Sequence, residues 1–169
     1  MAANKYLALA SGIIKEVVAT IVSAGVANAN QIVALGSNGL LDLSVMPVGI
    51  GPDTATITAS ENLAAGAIVN LWNNTGTTNA RNADNTVAGK EAWGFVLAAV
   101  TSGQNALVYF GGEITGLSGL TPASTYFLGT TGAATSTSPS TTGNISQSVG
   151  IAESATELAF FRGPPITIA

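Results

Sequence analysis

The chain contains no cysteine and no histidine. Those two absences exclude disulfides, thiolate nucleophiles, zinc held by sulfur or imidazole, and the imidazole general base, and with it any Ser–His–Asp triad. Charge is scarce too. Only 8% of the 169 residues are charged, against about 25% in an average soluble domain. Five are Lys or Arg and nine are Asp or Glu, a net charge of −4. Five cations neutralise few phosphates, so neither nucleic acid nor an anionic membrane is expected as a partner. Long apolar runs are also missing. Residues 6–14 follow a single Lys5 and stop at Lys15 and Glu16, and residues 17–29 fall short of the roughly 20 residues a membrane helix needs. Neither stretch reads as a targeting segment or a span.

What the chain does have is 47% hydrophobic residues, with 20 Gly, 20 Thr and 14 Ser. That is enough apolar material for a sizeable core. Disordered chains are the reverse, rich in charge and poor in apolar residues. The polar surface must be mostly hydroxyl and backbone. Such a surface suits a protein packed against copies of itself or other subunits, because a free monomer is normally kept soluble by charge.

Pro47, Gly49, Gly51 and Pro52 punctuate the chain within a few positions and mark a linker. Residues 1–52 are expected as an N-terminal arm and linker, residues 53–169 as a β-domain with a C-terminal tail. In the arm, Ile13, Ile14, Val17, Val18, Ile21 and Val22 recur with a spacing of four. The spacing predicts a short helix with a wide apolar stripe; the same residues are β-branched and suit a strand equally well. The arm is therefore extended or partly helical, and these six side chains are the candidate partner contacts. A turn is expected at 28–31 and another at Ser37-Asn38-Gly39, with extended chain at 32–35 and 40–46.

Beyond the linker the pattern is strand after strand: 54–59, 67–72, 77–83, 91–100, 106–110, 125–128, 144–149 and 157–161. Asn73-Asn74-Thr75-Gly76 is a hairpin signal. The Gly/Ala/Ser/Thr-rich segment 129–143 reads as an exposed loop between strands. Short strands at this spacing predict an all-β, antiparallel sandwich or barrel. Residues 91–100 and 106–110 read as apolar on both faces, as strands do at the centre of a core or against another subunit.

No constellation carries chemistry. The nine carboxylates each stand beside a turn or a strand end, where a solvated carboxylate is the ordinary state. There is no Gly-x-Ser-x-Gly elbow, no Ser-x-x-Lys pair and no phosphate-cradling loop. Asp84-Asn85 and Asn73-Asn74 are oxygen-rich but lack the carboxylates of a calcium loop. Trp72, Trp93, Tyr109, Tyr126 and Phe127 fall within strand patterns and are expected in the core. No catalytic, cofactor-binding or metal-ligating residue is predicted.

One segment is familiar. Gly25-Val26-Ala27-Asn28-Ala29-Asn30-Gln31-Ile32-Val33-Ala34-Leu35, followed by Asn38-Gly39-Leu40-Leu41-Asp42 and Met46-Pro47, resembles a stretch common in tailed-bacteriophage virion proteins. Asn30 and Gln31 stand where glycine and lysine are usual. A second run is similar to a pattern of phage structural proteins: Gly119-Leu120-Thr121-Pro122, Thr125-Tyr126-Phe127-Leu128, Pro139, Gly143, Gln147, Val149-Gly150 and Ala152. The resemblance implies a non-enzymatic virion protein; the missing His and Cys add the expectation of no cofactor and no metal. It points to a capsid decoration (cement) protein, or alternatively to a tail-fibre or baseplate module that recognises a receptor or carbohydrate. It further implies a homotrimer, made in the host cytoplasm and placed on the capsid exterior, with the major capsid protein and itself as partners. The sequence shows no internal repeat, which favours decoration over a long fibre.

Overall fold

A computed structural model describes residues 4–46 and 51–169, and the chain divides into two compact units, Met1–Gly51 and Pro52–Ala169. The expected linker residues Pro47 and Gly49 lie outside the described residues.

The first unit is built on a β-hairpin, not a helix. Strand β1 (Lys5–Ala10) pairs antiparallel with β2 (Ile13–Val18), in a register running from Lys5 opposite Val18 to Ala10 opposite Ile13. Of the two forms that the apolar pairs allow, the structure has the strand and not the helix. The reason is local. Ser11 and Gly12 both have positive φ, 53° and 76°, as the primed two-residue turns that join right-twisted strands require. With that turn in place, Ile13, Ile14, Val17 and Val18 find a strand partner, which their branched side chains favour. The chain then runs through a single 3-10 turn at Gly25–Asn28 and a parallel bridge between Thr20 and Val33. Residues 43–45, expected to be extended, instead form a second 3-10 turn, Leu43–Val45, capped by the Asp42 carboxylate, which accepts from the Ser44 N–H at 2.9 Å.

The second unit is all β. Five strands close into a barrel: β3 (Thr54–Ala59), β4 (Ile68–Asn74), β5 (Thr77–Asn82), β6 (Gly94–Phe95) and β7 (Asn105–Tyr109), in the order β3-β5-β4-β6-β7. Closure makes one pair parallel, β3 with β5; every other pair in the barrel is antiparallel. The β4–β5 hairpin turns at Thr75-Gly76, as its sequence predicts. A five-stranded sheet completes the unit, with β8 (Gly112–Ile114), β9 (Thr125–Leu128), β10 (Ala134–Thr135), β12 (Ser148–Ala152) and β13 (Leu158–Phe160) in the order β10-β9-β12-β13-β8. A small pair, β11 (Ile145–Ser146) with β14 (Ile166–Thr167), ties the last strand down.

Two cores follow from this layout. The barrel interior is narrow and filled by small residues, among them Ala59, Ala67, Ala80 and Ala106 with Val69, Val96 and Val108. Between barrel and sheet lies a bulkier cluster centred on Phe95, whose ring stands 5.3 Å from Tyr109 and 5.2 Å from Phe160. Each large apolar side chain buried there stabilises by roughly 1.5–3 kcal/mol before ordering costs.

Three sequence expectations need correcting. Residues 91–100 are not one long strand: only Gly94 and Phe95 pair in β6. A Cβ on Gly94 would stand 2.5 Å from the Tyr109 carbonyl oxygen, so glycine alone permits the barrel to close there. In the same stretch Ala92, Phe95 and Val96 are buried while Trp93, Leu97, Ala98 and Ala99 face outward. Residues 106–110 do alternate: Ala106 and Val108 point into the barrel and Leu107 points out. The third is 144–149, which breaks at Gln147, where the chain leaves one sheet for another.

Candidate functional site

Two surfaces stand out, one in each unit. In the hairpin, directly opposed residues share a face. Leu7, Leu9, Ile14 and Val18 occupy one face with Lys5 and Glu16; Tyr6, Ala8, Lys15, Val17 and Ile13 occupy the other. The first face is open, with Leu9 75% and Ile14 69% exposed. Its only charges, Lys5 and Glu16, satisfy each other across 3.2 Å. Of the six side chains expected to meet a partner, Ile14 and Val18 lie on this face and Ile13 and Val17 on the opposite one; Ile21 and Val22 follow the strand and are exposed. The six therefore do not form one stripe.

The large apolar side chains of this unit point to solvent instead of forming a core, Val26 almost completely. Thr20 is the one buried residue among its described positions, and its hydroxyl donates to the Gln31 side chain. The unit holds two lysines, Lys5 and Lys15, and two carboxylates, Glu16 and Asp42, so it carries no net charge. The side-chain hydroxyl and backbone N–H of Ser44 hold the Asp42 carboxyl below its ordinary pKa. All of the chain's −4 belongs to the second unit, where Arg81, Lys90 and Arg162 face seven carboxylates.

The second surface is a cleft of about 260 Å³ in the β-domain, lined by Glu91, Trp93, Gln147, Arg162, Pro164 and Pro165 among others. Its floor is rigid. The buried Gln147 accepts from the Ala92 N–H at 2.7 Å and donates to the carbonyls of Ala92 at 3.2 Å and Gly163 at 3.0 Å. This one amide locks the two segments that carry Trp93 and Arg162. The Arg162 guanidinium lies 4.3 Å from the centre of the Trp93 ring, within the reach of a cation–π contact. The sequence placed Trp93 in the core; it is 43% exposed. The available signal was the pair of small residues beside it, Ala92 and Gly94, which take the buried positions on the inward face.

The remaining polar groups hold the fold. Glu61 accepts from the backbone N–H of Asn82 at 2.6 Å and from its side chain at 2.9 Å. Asp84 forms the expected turn, accepting from the Thr86 N–H and hydroxyl and from the Thr131 N–H. Asn85 beside it is buried and donates to the Leu128 carbonyl. Among the described residues no three Asp or Glu come together as a metal site, and no helix is long and apolar enough to cross a membrane.

No family model matches the chain. No curated protein matches it. Among solved structures, the head fiber gp8.5 N base of bacteriophage phi29 is similar over 65% of this chain and 94% of its own, with 17% identity and a TM-score of 0.42. A likeness of that size is too weak to carry a function.

Proposed function

We propose that this protein is a structural component of a tailed-bacteriophage virion: a capsid decoration protein that binds the outer shell and ties neighbouring capsid subunits together. The observation that carries the reading is the N-terminal unit. It is folded, neutral and almost without a core, and it exposes a dense set of Leu, Ile and Val side chains. An isolated two-stranded hairpin is marginal in water, and exposed apolar patches mark interaction surfaces. The sequence resemblance supplies the virion, the major capsid protein as partner and the trimer count. On this reading the protein is not an enzyme; it is made in the host cytoplasm and ends on the capsid exterior.

A second reading, a tail-fibre or baseplate binding module, is favoured by one observation, the Trp93–Arg162 cleft. Copy number separates the two. On a gel of purified virions, a decoration protein stains at a level comparable with the major capsid protein, whereas a tail component stains as a trace band. A trace band would sink the decoration reading.

A further inference from the structure

We propose that the cleft between Glu91, Trp93, Arg162 and the Pro164-Pro165 pair binds a neutral pyranose ring. The inference deepens the second reading and rests on the same cleft; copy number in the virion tests that reading and a sugar titration tests the cleft, so the two failures are distinguishable. It begins with a comparison inside the β-domain. The chain has two tryptophans and two arginines, and each arginine lies over one tryptophan. The Arg81–Trp72 pair is tied into the fold. Arg81 donates from Nε to the Asn70 Oδ1 and from Nη2 to the Gly89 carbonyl, both at 2.8 Å, and the Trp72 indole donates to the Ser60 hydroxyl at 3.0 Å. The Arg162–Trp93 pair makes the same kind of cation–π contact but none of these bonds. Among the described residues neither the Arg162 guanidinium nor the Trp93 indole N–H has a hydrogen-bond partner or an ion-pair partner. A guanidinium held over a ring face keeps its N–H donors available to a ligand.

The cleft supplies an acceptor as well as donors. Glu91 uses one oxygen to accept from the Gly89 N–H at 3.2 Å, and among the described residues its second oxygen accepts no hydrogen bond. An anionic ligand would satisfy Arg162 but face the Glu91 charge. A cationic ligand would satisfy Glu91 but face Arg162. A hydroxyl both donates and accepts, so a pair of neighbouring hydroxyls satisfies both side chains without an opposing charge. The prolines and the indole edge offer apolar walls for the C–H faces of such a ligand. At about 260 Å³ the cleft lies just below the usual range for drug-sized ligands, which begins near 300 Å³; it suits one ring. Gln147, buried and satisfied, serves as a positioning residue: it holds the backbone on both sides of the cleft at fixed separation.

The test is a titration of the full chain, labelled with nitrogen-15, with methyl glucoside, methyl galactoside, methyl mannoside and N-acetylglucosamine, and separately with acetate and inorganic phosphate at constant ionic strength. At least one pyranoside should shift the Trp93 indole signal to saturation and leave the Trp72 indole in place. Trp93→Phe and Arg162→Ala, both at exposed positions, should each weaken that binding by about tenfold or more, that is about 1.4 kcal/mol. Arg162→Lys, which keeps the charge and loses the planar fork, should weaken it as well. The proposal is overturned if no pyranoside moves the Trp93 signal, if acetate or phosphate moves it and the sugars do not, or if the correctly folded variants bind unchanged.

Discussion

Leu9 in the N-terminal hairpin and Phe95 in the barrel are both apolar residues on short antiparallel strands, yet Leu9 is 75% exposed and Phe95 1%. The contrast holds for the units they belong to. In residues 52–169 a closed barrel and a second sheet give apolar side chains something to pack against, and they form two buried clusters. The N-terminal unit is richer in apolar residues, but its described residues form one hairpin and two single helical turns, with no second layer among them to cover the hairpin's faces. A domain needs at least two packed layers around a core. Apolar composition does not make a core; layers do, and a unit short of a layer must borrow one.

The sharpest way to break this comparison is to separate the halves. A chain beginning at Asp53 should fold with a melting temperature within a few degrees of the whole protein, because both buried clusters lie inside it. It should lose self-association and binding to bare capsids. Thermal unfolding, sedimentation and a capsid-binding assay read the three properties. A truncated chain that still decorates shells undiminished, or one that will not fold, defeats the idea that the N-terminal unit is the borrower.

The second test compares single side chains. Phe95→Ala should cost about 3–5 kcal/mol, since it empties the centre of a packed cluster. Leu9→Ala, measured on dilute protein, should fall within about 0.5 kcal/mol of wild type, as exposed substitutions do. Urea unfolding monitors both. Equal costs would mean that the hairpin is buried in solution and that the contrast between the units does not exist.

The sequence disclosed the β-domain well and the arm poorly, for a physical reason. In the domain, period-two strands and Gly-rich turns agree with each other, as at 54–59, 125–128 and Asn73–Gly76. In the arm the spacing of Ile13 to Val22 fits two periods, and only the Ser11-Gly12 dipeptide decides between them, by allowing the positive-φ turn that gives β2 its partner. The Trp93 cleft was hidden differently. Its parts, Glu91, Trp93, Gln147 and Arg162, come from three distant stretches of chain, and nothing local in residues 91–100 shows that β6 is only two residues long. That limit is set by barrel closure at Gly94, a property of the whole fold.

The smallest expected effect concerns Asp84, whose turn holds the 129–133 loop to the barrel side of the β-domain. Partial burial alone would raise its pKa, but the hydrogen bonds from the Thr86 hydroxyl, the Thr86 N–H and the Thr131 N–H, with the charge of Lys90, outweigh it and hold the carboxyl below its ordinary value of 3.8. A carboxyl whose folded pKa is depressed stabilises the fold above its unfolded pKa, and that contribution is lost as pH falls through the folded pKa. The difference in unfolding free energy between wild type and Asp84→Asn should therefore be present at neutral pH and shrink as the pH falls below the ordinary value of 3.8 and through the lowered folded pKa. The other carboxylates are common to both proteins and cancel in the difference. Asp84 is partly buried and still reached by solvent, so screening keeps the effect small, and repeating the pair at high salt should remove the share that Lys90 supplies while leaving the hydrogen bonds. A difference that grows on acidification would mean that the carboxyl is held in its protonated form, and that this turn strains the domain instead of fastening it.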